Sequence, residues 1–207
     1  MLITQIKRKK QHLCEITLST GDCFLLDSDY CAEKAIKENM SLTEKEISVM
    51  KQESDYFRAL SRSLWYIERG DLSQKGLKIK LKKAGFSEKA TIDATARMVE
   101  LGLVNDQEYA LRLAEKLLSA CVSRREAVTK MTLRGIDRDT ANWALDEFEC
   151  DPTAQIKALI IKKYKNKMQS EADVKKVFAA LQRKGFNYSD IKCVLKEYSQ
   201  EIEYSED

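Results

Sequence analysis

Apolar and polar positions follow two different periods along this chain, and the change of period divides it. Near the start, Leu2, Thr4 and Ile6 alternate with their neighbours, as do Cys14, Ile16 and Leu18. A Ser19-Thr20-Gly21-Asp22 turn and the apolar run Cys23 to Leu26 come next. A period of two broken by turn residues predicts two or three short antiparallel strands, with Lys7 to Lys10 at a hairpin tip. Residues 30–38 and 42–53 look helical, and Ser41 to Glu44 offers a capping box. The expectation is a small mixed module over residues 1–53, too short for a core of its own and packed on the first of the helical repeats.

From residue 54 the apolar positions recur at i, i+3 and i+4, the spacing of helices with one buried face. The pattern itself repeats three times, marked by Gly85-Phe86-Ser87, Gly135-Ile136-Asp137 and Gly185-Phe186-Asn187. A glycine just past a helix end closes the last turn in the left-handed conformation, and the next apolar residue packs back. Ser87, Asp137 and Asn187 then cap the next helix. Twelve residues before each glycine stands another capping type, Ser73, Ser123 and Asp173, and Ser123 with Glu126 makes a second candidate capping box. Incoming helices are predicted near 74–84, 124–134 and 174–184, and outgoing ones near 88–101, 138–149 and 188–202. Buried columns run Leu77/Ala127/Val177, Leu81/Met131/Leu181, Thr91/Ala141/Ile191, Ala94/Ala144/Val194 and Met98/Phe148/Tyr198. A further helix precedes each pair, near 54–69, 107–120 (after Asn105) and 153–168, where Asp151-Pro152 marks the start. The expected fold is mainly α: an elongated array of three tandem three-helix repeats, over 54–103, 104–150 and 151–207 with its acidic tail, behind the strand-containing module. Repeat architectures present long surfaces, which suit polymers better than metabolites.

Composition narrows the picture. One proline and seven glycines in 207 residues leave little room for linkers. No apolar run is long enough for a membrane span or a secretory signal, so a cytoplasmic protein is expected. Six cysteines without Cys-x-x-Cys spacing read as free thiols, most of them at core positions. Net charge by segment is −1 for 1–53, +4 for 54–103, −2 for 104–150, +6 for 151–199 and −4 for 200–207. Separate basic and acidic stretches suggest a mixed target such as DNA carrying protein.

One charge column survives the comparison of copies: Lys75, Arg125 and Lys175, ten residues before each glycine and placed in the first turn of their helices. Cations there oppose the helix dipole, so their recurrence suggests an approaching anion, with phosphate the obvious one. Lys78, Lys80, Arg124, Lys130, Arg134, Lys176, Arg183 and Lys184 extend the basic set. A chain with 33% charged residues also produces such a column by chance on a solvated face. Enzyme chemistry finds no support: there is no glycine-rich phosphate loop, nucleophile elbow or metal-ligand spacing, and no cofactor is expected. His12, the single histidine, reads as exposed or packed on the hairpin. Trp65, Tyr66, Trp143, Phe148, Tyr164 and Phe178 read as core, with base stacking a minor alternative for Tyr164 among Lys162, Lys163, Lys165 and Lys167.

The stretch from Leu77 to Phe86, continuing through Ile92, Met98 to Leu103 and Asn105 to Ala110, resembles the signature of the RecX regulatory proteins. In that family a Leu-x-x-Lys-Gly-Phe end precedes a helix, then Gly-Leu-Ile-Asp-Asp and an aromatic-Ala pair. Arg124 to Ile136 resembles the family's second repeat and Leu181 to Phe186 its third. Ala120-Cys121-Val122 stands where a glycine-containing turn is common. The resemblance implies a modulator of RecA recombinase in DNA repair and the SOS response. Such a protein binds RecA–single-stranded-DNA filaments, as a monomer lying in the filament groove, and inhibits filament growth, ATP hydrolysis and strand exchange. Single-stranded and double-stranded DNA are implied as further partners. A helix-turn-helix regulator of transcription is the alternative. The first turns Glu88-Lys89, Arg138-Asp139 and Tyr188-Ser189 form a poor base-reading set for it.

Overall fold

A computed structural model describes residues 1–10, 12–164, 168 and 170–203, with side chains as far as 198. Lys165, Lys167 and the last residues of the acidic tail lie outside the described residues. The chain divides into two compact units, Met1–Asn105 and Asp106–Asp207.

The first unit begins with three antiparallel strands in sequential order, β1 (Ile3–Lys9), β2 (Leu13–Leu18) and β3 (Cys23–Asp27). Register pairs Ile6 with Ile16 and Ile16 with Phe24, so alternate side chains share one face. That face buries Ile3, Cys14, Ile16, Leu18 and Leu26. Lys7 to Lys9 belong to β1 itself, and only Lys10 begins the turn. Asp27 caps the short α1 (Ser28–Glu33), accepting from the backbone N–H groups of Asp29 and Tyr30. The expected helix over 30–38 is therefore shorter and earlier.

Two expected helices, 42–53 and 54–69, are one 24-residue helix, α2 (Glu44–Ile67). Its capping box is built by Thr43 and Glu46, not by Ser41 and Glu44: Thr43 N–H donates to Glu46 Oε2 at 2.7 Å, and Glu46 N–H to Thr43 Oγ1 at 3.3 Å. The first half of α2 closes the sheet, contributing Ile47 and Met50 to a cluster with Ile16, Leu26 and Tyr30. The N-terminal segment thus has a core of its own, completed by a helix that runs on into the first repeat. Ser54 fastens the two, accepting from Asp27 N–H at 2.6 Å in a buried position. The second half of α2 packs with α3 (Gln74–Lys83) and α4 (Glu88–Glu100) around Ala59, Leu77, Leu81, Ala90, Ala94 and Met98.

The second unit holds α5 (Asp106–Ser119), α6 (Arg124–Leu133), α7 (Arg138–Asp146), α8 (Pro152–Leu159), α9 (Glu171–Arg183) and α10 (Tyr188–Glu203). α8 continues as a π-helical turn over Ile160–Tyr164. One cluster centres on Ala110, Ala127, Met131, Ala141 and Ala144, the next on Ile156, Val177, Leu181, Ile191 and Val194. Every column named from sequence is buried except its last, where Met98 is buried but Phe148 and Tyr198 are half-exposed.

The helix ends explain the repeat. Gly85, Gly135 and Gly185 have φ of +88°, +91° and +85°. At each, the N–H of the following apolar residue reaches back to the carbonyl of Leu81, Met131 or Leu181 at 3.2–3.3 Å, and the glycine N–H to Lys82, Thr132 or Gln182 at 2.9–3.0 Å. This is the Schellman closure, which satisfies carbonyls the helix leaves open. At the end of α5 the N–H groups of Cys121 and Val122 make the same two bonds, to Leu118 and Leu117, and Cys121, at φ +55°, takes the place of a glycine. Ser73, Ser87, Ser123 and Asp137 cap as expected. Asp173 does not: Ser170 caps α9, which therefore starts one turn earlier than the spacing suggests. Nor does Ser123 form a full capping box, since Glu126 turns to Lys130 at 2.8 Å.

Of the six cysteines only Cys14 and Cys31 are buried; Cys121 is half-buried, and Cys23, Cys150 and Cys193 are exposed. The wide expectation of core positions is corrected by helix faces that the alternation of residue types does not resolve. His12 lies in the hairpin turn, exposed and at φ +55°. No helix among the described residues is long and apolar enough to cross a membrane.

Candidate nucleic-acid interface

The basic residues sit on the helix–turn–helix units, and the two units are described separately. In the first, Lys75 is the second residue of α3, exposed, with Lys78 half-buried one turn on. Neither forms an ion pair among the described residues. Lys75 stands where the dipole disfavours a cation, and Lys78 carries no compensating acid. Lys80 lies in the last turn of α3, where a cation is favoured, and its Nζ sits 5.0 Å from the centre of the Tyr66 ring.

In the second unit, Arg124 and Arg125 open α6, and both are exposed. Arg124 pairs with Asp146 of α7 at 2.7 Å and donates to the Asn142 carbonyl at 3.2 Å, so its guanidinium is held across the helix pair. Arg125 has no acid partner among the described residues. Its Cβ and Cγ instead pack on the turn after α9, where a Cβ added to Gly185 would meet Arg125 Cβ at 3.1 Å. The Ser123 hydroxyl donates to the Lys184 carbonyl at the same place, and Gln155 Nε2 donates to the Leu118 carbonyl at 3.2 Å. These bonds join the α5–α7 and α8–α10 bundles. Beside the junction opens a cleft of about 840 Å³, lined by Arg124, Arg125, Arg138, Asn142 and Asn187 over an apolar floor of Val128, Leu145 and Phe186. Arg138 completes a trio of arginines that the spacing of copies did not single out.

The remaining candidates are less available. Lys130 is bound to Glu126. Arg134 caps α6, a position the dipole favours in any helix. Lys175 and Lys176 are exposed but pair with Glu171 at 2.7 Å and Asp173 at 3.0 Å. These lysines hold both carboxyls below their ordinary range. With Ser170 as the cap, Lys175 lies in the second turn of α9 and acids fill the first. The column of cations opposing a dipole therefore holds in α3 and α6 and fails in α9. Arg183 and Lys184 close α9 without an ion pair among the described residues.

The tryptophans are misplaced by the amphipathic pattern. Trp65 is 42% exposed and Trp143 39%, while Tyr66, Phe148, Tyr164 and Phe178 are half-buried against the cores. Arg62 and Arg69, one turn either side of Trp65, were the available signal. Among the described residues no group of side chains could hold a metal ion.

Comparison with known proteins agrees with this architecture. Residues 149–195 match the family model described as the third three-helix domain of RecX. A regulatory protein RecX of Caldanaerobacter subterraneus subsp. tengcongensis is 27% identical over 204 residues, covering 94% of this chain and 98% of that protein. One from Streptococcus pneumoniae (strain Hungary19A-6) is 24% identical over 205 residues, covering 98% and 79%. A crystal structure of a regulatory protein RecX shares the fold over 94% of this chain and 98% of that one, with a TM-score of 0.68 and 20% identity. That of RecX from Lactobacillus salivarius covers 70% of this chain and 97% of its own, with a TM-score of 0.62 and 20% identity. In the helix–glycine–helix signature of its repeats, its matching third unit and relatives that align over nearly its whole length, the chain is similar to the RecX regulatory proteins.

Proposed function

We propose that this protein is a non-catalytic regulator that binds RecA–single-stranded-DNA filaments and inhibits their growth and ATP hydrolysis. Lys75, Lys78, Arg124 and Arg125 engage phosphate or acidic recombinase surface, and Arg183 and Lys184 add to them. One observation carries the assignment to these residues. Lys75 and Arg125 occupy the same second position of α3 and α6, exposed and without an acid partner among the described residues, where the folded chain alone gains nothing from a cation. The recombinase as partner is what the resemblance to RecX regulatory proteins implies.

The test is the single-stranded-DNA-dependent ATPase rate of the cognate recombinase, titrated with this protein well below equimolar amounts. A steep fall supports a filament-directed inhibitor, since few copies are stopping many protomers. An unchanged rate up to equimolar folded protein sets the inhibition aside.

A further inference from the structure

We propose that Trp65 and Tyr66, with Arg62, Arg69 and Lys80 around them, form a stacking site for the bases of single-stranded nucleic acid. The proposal rests on the reading that this protein works on single-stranded DNA, and it adds a site that the charge column does not contain.

Trp65 lies near the end of α2 with 42% of its surface exposed. Arg62 stands one turn before it on the same side of α2, and Arg69 lies in the turn just past the end of the helix. Their guanidinium carbons stand 5.4 Å and 3.6 Å from the Trp65 ring centre. Arg69 Nη1 also donates to the Trp65 carbonyl at 2.9 Å, which holds that guanidinium in place. Tyr66 meets Trp65 edge to face at 5.2 Å, and Lys80 reaches the Tyr66 ring from α3. Two rings and three cations thus form one continuous patch across α2 and α3. None of the three cations is ion-paired among the described residues. The surrounding stretch, Arg62 to Lys83, carries seven cations against two acids, Glu68 and Asp71.

Single strands are recognised by this combination. Bases stack on aromatic faces or on guanidinium planes, and each intervening phosphate needs a cation within reach. A duplex keeps its bases inside the helix and offers only the phosphates. An acidic polypeptide likewise uses the cations but leaves the indole idle. Rings and cations together therefore select a strand with free bases.

The test uses the full-length protein alone, without a recombinase, so that its failure leaves the ATPase question standing. In a Trp143→Phe background Trp65 is the single tryptophan, and oligothymidylate is titrated at low salt. Saturable quenching of Trp65 emission is expected. Trp65→Ala is expected to weaken binding about ten-fold, and Trp65→Phe less. Arg62→Gln with Arg69→Gln should flatten the plot of log affinity against log salt by about 1.4, from two lost phosphate contacts. Binding without quenching, or equal quenching by polyglutamate, would overturn the proposal. So would unchanged affinity in a Trp65→Ala protein of native circular dichroism. Should that variant not fold, the quenching and the salt slope decide.

Discussion

At Gly185 the turn after α9 has no space for a side chain. Its φ of +85° already disfavours an L-residue, and an added Cβ would lie 2.8 Å from Ser123 Oγ. Gly85 has the same backbone, φ +88°, but nothing within 4 Å of its Cβ position. Gly85→Ala should therefore cost about 1–2 kcal/mol from conformation alone. Gly185→Ala should cost more, because it also disturbs the cap of α6, and paired urea unfolding curves check the order. Buried Thr91 offers the opposite case. Its hydroxyl has no hydrogen-bond partner among the described residues, while Thr95 Oγ1 donates to the Thr91 carbonyl at 2.7 Å. Thr91→Val keeps the shape and removes an unsatisfied group, so unfolding free energy should rise by about 1 kcal/mol. A loss of stability in the same measurement would sink that account. The glycines were legible because only one residue type takes this backbone freely. Cys121 was marked only by the resemblance, which places a glycine-containing turn there, since no residue type announces a non-glycine at φ +55°.

Among the elements, the helix starts carry a pH dependence. Asp137 caps α7, and the Thr140 hydroxyl, followed by the Thr140 backbone N–H, holds its carboxyl below the ordinary value of 3.8. Asp151 caps α8 in the same way through Thr153. A depressed folded pKa means that the stabilisation is complete above the unfolded value and is lost as pH falls through the folded one. Thermal midpoints should hold from pH 7 to 5 and drop below about pH 4. Asp137→Asn with Asp151→Asn, which keeps the caps but cannot titrate, should flatten part of that acid limb. The elements misread from sequence have local causes. The spacing of copies pointed to Asp173, but Ser170 caps its N–H at 3.2 Å and gains a further turn of helix. α2 reads as two helices because one half faces the sheet and the other the first repeat. Its apolar stripe shifts between them, although no breaker residue interrupts it.

For the molecule as a whole, the basic residues differ in what they already hold. Arg125 and Lys75 lack acid partners among the described residues, whereas Lys175 and Lys176 are neutralised locally by Glu171 and Asp173. On the proposed function, Lys75→Gln with Arg125→Gln should weaken inhibition of the recombinase ATPase several-fold, and Lys175→Gln with Lys176→Gln should do so less. All four side chains are exposed, so stability should move by no more than about 0.5 kcal/mol per substitution. Equal effects of the two pairs in the ATPase titration would show that local pairing does not grade these cations.

Periodicity and turn chemistry determined the strands, the three-helix repeats and nearly every buried column, because each depends on residues within one or two turns of one another. The resemblance to RecX proteins was legible for the same reason, as its signature is the helix end itself. Tertiary structure alone decided which cations remain without partners, since Asp146 reaches Arg124 from another helix. It alone packed the Gly185 turn on Ser123 and Arg125, residues far apart in the chain. And it left Trp65 in solvent among arginines, because an apolar residue on an amphipathic helix is buried only where a neighbouring element arrives to cover it.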